Sequence, residues 1–301
     1  MTTSMFRASA PRAITGEKLG PLAQLTGTWV GSGFNLISLP DKHENKPFRV
    51  KLNATHETLS FTLIGGPIPN RGSAQDDIEF LGVHYFQLVS DAVTSAGLHL
   101  EPGMWLNMPV TTNPPQPQPG VARLATIPHG DSLLAQGTSI TVNAGPRIEP
   151  VDSTPFTLDP VTGARINKTD PQYLDPFEDA HLPPGIPAGS IANPNLVLTT
   201  AIAGQNIINT VVLIVSANPV GGINGTPIAP PSKPNEVGGI VNLPFVVANA
   251  NANSFAAIFW IESVQNPDGS QFLQLQYTQT VILDFIGIKW PHISVATLVK
   301  Q

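Results

Sequence analysis

From residue 51 to residue 61 the chain alternates: Leu52, Ala54, His56, Thr58 and Ser60 fall on one parity, and Lys51, Asn53, Thr55, Glu57, Leu59 and Phe61 on the other. Pro47 stands before the run and Gly65-Gly66-Pro67 after it. A period of two sorts side chains onto the two faces of a β-strand, and a helix with its 3.6-residue turn cannot sort such a run. Similar runs follow at 83–89, 99–107, 121–127, 138–144, 196–201, 207–216, 255–264, 272–283 and 293–300. Residues 210–216 and 258–264 are rich in Val, Ile and aromatics, as strand interiors are. About ten strands therefore stand in line. Helix is expected only over 18–25, just before the first strand, and over 73–80.

Composition supports that reading. Charged residues are 12% of the 301 positions, against about 25% in an average soluble protein. Long surface helices need charge on their wet faces and are excluded. The chain carries 31 Pro and 26 Gly. The expected fold is all-β: an antiparallel barrel of ten or more strands, since a closed barrel leaves no exposed edge. Residues 1–17 read as an N-terminal arm and 18–301 as one barrel domain interrupted by insertions at about 64–82, 110–120, 147–194 and 221–239. The third carries Pro at 150, 155, 160, 171, 176, 183, 184, 187 and 194. It is expected to be non-helical and extended over the surface. No internal repeat is visible.

Several function classes fall away. A net charge of -6 with 15 scattered basic residues cannot neutralise a phosphate backbone or seek an anionic bilayer. The absence of Cys removes disulfides, thiolate catalysis and thiolate metal sites. The first 20 residues have no continuous apolar core of a secretory signal. The longest apolar stretch, 202–217, is interrupted by Gln205, Asn206 and Asn209. The expectation is a soluble cytoplasmic protein that takes a small-molecule ligand, with a homodimer left open.

Seven His are available for chemistry. In the last strand His292, Ser294, Ala296 and Leu298 share one face, so His292 would sit on a cavity wall among small neighbours if that face points inward. As read from the residues it is a metal ligand, a satisfied rim histidine or a general acid–base. His99 shares a strand face with Glu101, a carboxylate able to raise imidazole basicity or simply an exposed strand-end pair. His129 lies in Pro128-His129-Gly130-Asp131, a turn signature. Arg71, in a polar cluster with Gln75, Asp76 and Asp77, is a candidate partner for a carboxylate or propionate. Asp76-Asp77-Ile78-Glu79 lacks the spacing of a calcium loop, and His43, His56, His84 and His181 show no metal-ligand spacing. Nucleophile-elbow, zincin, P-loop and dinucleotide motifs are absent.

Four blocks occur in a telling order. They are Gly27-Thr28-Trp29-Val30-Gly31-Ser32-Gly33; Leu98-His99-Leu100-Glu101-Pro102-Gly103-Met104-Trp105-Leu106; Ile127-Pro128-His129-Gly130-Asp131 leading to Ala135-Gln136-Gly137; and Pro291-His292-Ile293-Ser294-Val295-Ala296-Thr297-Leu298. Together they resemble the nitrobindins, haem-binding β-barrels shaped like fatty-acid-binding proteins. A strand at 259–264, the turn Asn266-Pro267-Asp268-Gly269 and a long strand at 272–283 are similar to that family's approach to its closing strand. The resemblance implies haem b with His292 as axial iron ligand. Thr28, Gly33 and His129, in its blocks, are taken as further cofactor-binding positions; catalytic residues are left open, with His99 and Arg71 as candidates. The activities implied are peroxynitrite isomerisation or a weak peroxidase reaction. The alternatives are a haem-free barrel for a hydrophobic small molecule and a structural protein without a ligand. The insertions at 64–82 and 147–194 are placed over the barrel mouth by this reading.

Overall fold

The computed structural model describes residues 18–217 and 238–301. The expected N-terminal arm and most of the 221–239 insertion lie outside the described residues. Ten antiparallel strands close into a barrel: β1 (Gly27–Asp41), β2 (Lys46–Leu63), β3 (Ile78–Asp91), β4 (Gly97–Met108), β5 (Gly120–Ile127), β6 (Asp131–Val142), β7 (Asn206–Ala217), β8 (Asn251–Gln265), β9 (Gln271–Phe285) and β10 (Ile288–Lys300). Each pairs with its neighbour in sequence, and β1 pairs with β10 from Trp29↔Lys300 to Leu36↔Ile293 to complete the ring.

The alternation read from the sequence sets the two faces. Trp29, Leu59, Phe61, Val83, Tyr85, Trp105, Phe259, Tyr277, Ala296 and Leu298 form the inner core. Residues of the opposite parity face outward. One end of the barrel is sealed: a single 3-10 turn (Gly20–Leu22) brings Leu19, Leu22 and Leu25 beneath Trp29, whose indole Nε1 donates to the Leu25 carbonyl at 2.7 Å. Satisfying the indole N–H lets so large a side chain be buried without loss of its polar contact. At the other end lie the β1–β2, β3–β4, β5–β6 and β9–β10 turns. A helix, α3 (Pro244–Ala250), crosses that mouth, touching β8, β9 and β1 and tied to the β5–β6 turn by the Leu243 N–H donating to the Gly130 carbonyl at 2.8 Å.

The outer wall of β8, β10, β1 and β2 carries a second core. Phe34, Leu36, Phe48, Trp260, Trp290, Ile293 and Val295 are buried there beneath Val151, Phe177 and Leu198 of the long β6–β7 connection. Trp290 is the hub, with its ring 4.3 Å from Phe48 and stacked on Phe285 at 5.0 Å. The connection leaves and returns at the sealed end, yet its short hairpin (Phe156–Leu158 with Arg165–Asn167) reaches Lys289 at the mouth end of β10. It is thus a strap along the barrel's length.

Several expectations are corrected. Residues 64–77 link β2 to β3 at the sealed end and leave the mouth uncovered; residues 78–82 belong to β3. Residues 73–80 form no helix. Residues 196–201 are helical (α2, Leu196–Ala201) because Leu198 docks on the outer core, overriding β-propensity. The Pro-rich stretch contains a helix, α1 (Pro171–Glu178). Pro171 is tolerated in the first turn, where the missing N–H has no partner in any case. Pro176 lies inside the helix, whose Phe177 is 7% exposed against the outer core. The strap also packs as a buried cover and is not merely draped. The sixth strand begins at Asp131, well before the expected residue 138.

Two consequences can be measured. A Cβ at Gly31 would stand 2.1 Å from the Thr297 carbonyl oxygen, backbone that cannot yield without parting β1 from β10. Gly31→Ala is therefore expected to cost about 2 kcal/mol or more in urea unfolding, in the range of an overpacked core. Gly97→Ala, with nothing within 4 Å, should be near neutral.

The second concerns Glu262, fully buried under the strap. Gln274 Nε2 donates to its Oε2 at 2.6 Å, while Oε1 has no partner among the described residues. Burial pushes its pKa up from 4.5 to about 7. A carboxyl raised on folding stabilises the fold while protonated, and that contribution is lost as pH climbs from 4.5 through about 7. Glu262→Gln should match the wild type near pH 4 and exceed it by roughly 3 kcal/mol above pH 8 in denaturant titrations.

Candidate functional site

The mouth half of the lumen is lined by polar side chains in three groups. The strands place them by parity: on β4 the inward positions run from Trp105 near the sealed end through Glu101 to His99 near the mouth.

Deepest lies Arg123 of β5, with its side chain 1% exposed. Its Nη2 donates to Glu101 Oε1 at 2.6 Å, its Nε to the Tyr85 hydroxyl at 2.9 Å and its Nη1 to Gln279 Oε1 at 2.8 Å. The Tyr85 hydroxyl also donates to Glu101 Oε1. Aromatic faces of Tyr85, Trp105, Phe255 and Phe259 surround the guanidinium within 5.3–5.8 Å. A cation can be held in such a place only when paired and fully hydrogen-bonded. Burial alone would raise the Glu101 pKa; Arg123, with His99 and Tyr85, overcomes it and holds the carboxyl at about 2. Glu101 Oε2 faces His99 Nε2 at 3.1 Å, so the expected His99–Glu101 pairing on one strand face is present.

Beside it, Glu57 of β2 accepts from the Tyr277 hydroxyl at 2.6 Å, from Gln87 Nε2 at 3.1 Å and from Thr55 Oγ1 at 2.9 Å. Burial raises the Glu57 pKa against these three hydrogen bonds, and it raises Tyr277 well above its ordinary value. The two carboxyls are thus driven in opposite directions, one by an adjacent cation and the other by its absence.

The third group is at the mouth. His292 faces inward from β10, on the same parity as Ala296 and Leu298 of the inner core. Its Nε2 donates to Asn35 Oδ1 at 2.9 Å, and Ser294 Oγ donates to the same oxygen at 3.2 Å. That bond fixes the tautomer and leaves Nδ1 without a hydrogen-bond partner among the described residues. Burial, helped by His99 and His129, pushes the His292 pKa down from 6.5 to about 3. The imidazole is neutral throughout the physiological range. His129, in the β5–β6 turn, lies with its ring centroid 5.7 Å from that of His99. Three histidines expected from separate sequence blocks are therefore neighbours at one end of the lumen.

The remaining candidates fall elsewhere. Gly33 faces inward, but a Cβ there would stand 2.2 Å from the Val295 carbonyl oxygen, so it is pressed against β10. Thr28 is on the outward parity, with its hydroxyl 3.2 Å from that of Ser60. Arg71 is at the sealed end, exposed and paired with Asp77, so it cannot reach a guest beside His292. Sequence reading missed Arg123, Tyr85, Glu57 and Tyr277. Arg123 had a signal: it is the one charge in Gly120-Val121-Ala122-Arg123-Leu124-Ala125-Thr126-Ile127, on the parity of Val121 and Ala125. Among the described residues no cluster of three or more His, Asp or Glu side chains is placed to hold a bare metal ion.

Arg123→Met would strand Glu101 as a buried unpaired carboxylate and should cost about 3–5 kcal/mol in thermal or urea unfolding. Arg123→Met combined with Glu101→Gln should recover part of that loss.

No family model matches the chain, and no curated protein matches it. Among solved structures, one described as the crystal structure of Rv2717c from M. tuberculosis is similar over 97% of this chain and 99% of that one, at 14% identity and a TM-score of 0.43. With so loose an overlap, the closed ten-stranded barrel stands on its own strand registers.

Proposed function

We propose that the mouth half of the lumen binds a small-molecule guest, and that the guest is haem b with His292 as axial iron ligand. The observation that carries this reading is the His292 imidazole: inward-facing, neutral at physiological pH, oriented through Nε2 by Asn35, and free at Nδ1. Metal-ligating histidines characteristically have one ring nitrogen fixed by a neighbour and the other bare. The small side chains of Ser294 and Ala296, and Gly33 across the β1–β10 seam, keep bulk away from the ring.

A bound haem would supply a redox-active iron able to take a small oxidant or a diatomic gas. The chain's own part is distinct. Arg123 is fully engaged with Glu101, Tyr85 and Gln279, its charge balanced by the Glu101 carboxylate, so it forms a fixed floor and does not reach out to a guest. His99, held by Glu101, and His129 beside it are the groups near His292 that can hold or move a proton. Peroxynitrite isomerisation and peroxide reduction are the activities to assay.

A second reading, an apolar guest in a haem-free barrel, draws on α3 and its approach at the mouth, where Leu243 and Phe245 are 61% and 77% exposed. Haemin titration separates the two. The expected outcome is a saturable Soret band in the wild type and in His99→Ala that is absent from His292→Ala. A Soret band unchanged by His292→Ala overturns the axial role. No band at all, with binding of a fluorescent fatty acid, favours the second reading.

A further inference from the structure

Two acceptor oxygens stand together at the mouth with no donor between them. A short strand, Gly239–Asn242, lies along the mouth half of β6, with Ile240 opposite Leu133 and Asn242 opposite Asp131. Leu133 belongs to the inner core and Ile240 packs against it. Asp131 and Asn242, each two residues nearer the mouth, therefore turn the same way, into the lumen. Among the described residues neither Asp131 Oδ1 nor Asn242 Oδ1 has a hydrogen-bond partner, and both atoms are buried.

The Asn242 amide is held in one orientation. Its Nδ2 donates to Asn251 Oδ1 at 3.1 Å and to the Ala252 carbonyl at 2.8 Å, which uses both of its hydrogens and ties the residue to β8. Turning the amide over would press Oδ1 against the Ala252 carbonyl, which has no hydrogen to give. With the nitrogen committed to β8, the oxygen is left toward β6, where Asp131 stands directly across. Side chains so paired on one face are within reach of each other. Two buried acceptors face each other at a cost unless a hydrogen lies between them, since each has lost its water and gained nothing. The amide oxygen cannot supply that hydrogen. A carboxyl can.

We propose that Asp131 carries a proton, donates through it to Asn242 Oδ1, and by that bond latches α3 across the barrel mouth, so that loss of the proton releases the helix. This goes beyond the lumen reading and holds whether or not haem is the guest.

The consequence follows from how α3 is held. None of its side chains is buried, so little apolar contact keeps it in place. At one end it runs straight into β8 at Asn251, and on the β6 side it is fastened by the Gly239–Asn242 ladder and by the Leu243 N–H bond to Gly130. The Asp131–Asn242 rung is the last before the helix. A negative charge there repels the amide oxygen at the point of attachment.

Burial raises the Asp131 pKa from its ordinary 3.8, with His129 pulling the other way. A carboxyl raised in the latched state stabilises that state while protonated, and the contribution is lost as pH rises through the raised value. The mouth is thus latched in acid and released above it. The other charged or titratable groups nearby are His99 against His129, His292 beyond them, Asp284 with Lys289 opposite Asn251, and Asp41 at the end of β1, which α3 touches. Arg123 of β5 is committed deeper in the lumen. Residues 239–258 carry no Asp, Glu, Lys, Arg or His.

Amide exchange of the full chain, corrected for the intrinsic rate at each pH, tests the latch. In the wild type, protection of residues 239–243 should fall about ten-fold, the worth of one hydrogen bond, as pH rises from about 4 to about 8. Asp131→Asn keeps a hydrogen to donate and gains no charge, so its protection should stay high throughout. Asp131→Ala should be poorly protected throughout. Amides of the β1–β10 seam are the reference and should be alike in all three proteins. Protection in the wild type that does not change with pH overturns the proposal. So does a step that persists in Asp131→Asn, which would assign it to the histidines, or an Asp131→Ala as well protected as Asp131→Asn.

Discussion

The pairing of the first strand with the last is the constraint on which everything else rests. Gly31 and Gly33 meet Leu298 and Ala296 across that seam, and neither glycine position has room for a Cβ. Closing the ring there turns a sheet into an enclosure. It brings Asn35 against His292, residues separated by most of the chain, and gives the strap a continuous wall to cover. The same seam orients the histidine, because Asn35 and Ser294 are cross-strand partners in it.

Within that enclosure the lumen divides by chemistry. Aromatic and aliphatic side chains over Trp29 fill the sealed half, and an interlocked set of carboxyls, tyrosines, glutamines and one guanidinium lines the other. Buried polar groups are tolerable only as a complete network, and these are nearly all satisfied by one another. The network has a directional consequence: Arg123 keeps Glu101 ionised below His99, while burial raises Glu57 and Tyr277 beside it, so the three histidines stand at the mouth end of the set.

How much of this was legible in the sequence depended on period. Residues 51–61 and 272–283 announced their strands because one face is buried by the lumen and the alternation survives. Residues 196–201 did not announce their helix. Six apolar and small residues carry no period long enough to tell helix from strand, and docking of Leu198 on the barrel wall decided it. The strap's proline content suggested an extended tether; Pro171 in a first turn and Phe177 on an apolar wall made a helix instead. At the site, the parity of His292 and of the His99–Glu101 pair could be read directly. Arg71 and Thr28 were misplaced by the same limitation, since neither the end of the barrel to which a loop returns nor the neighbour of an outward hydroxyl is written in local pattern. The Arg123 cluster needed five strands to assemble and was invisible for that reason.

The seam also bears on how the molecule is made. Strand β1 is synthesised long before its partner β10, so until β10 follows it the growing sheet has an unpaired border on each side. Such borders recruit other chains. The wait is lengthened by the strap, which must be threaded out before β7 can find β6. A chain of this topology lacking β10 would leave the border of β1 permanently open.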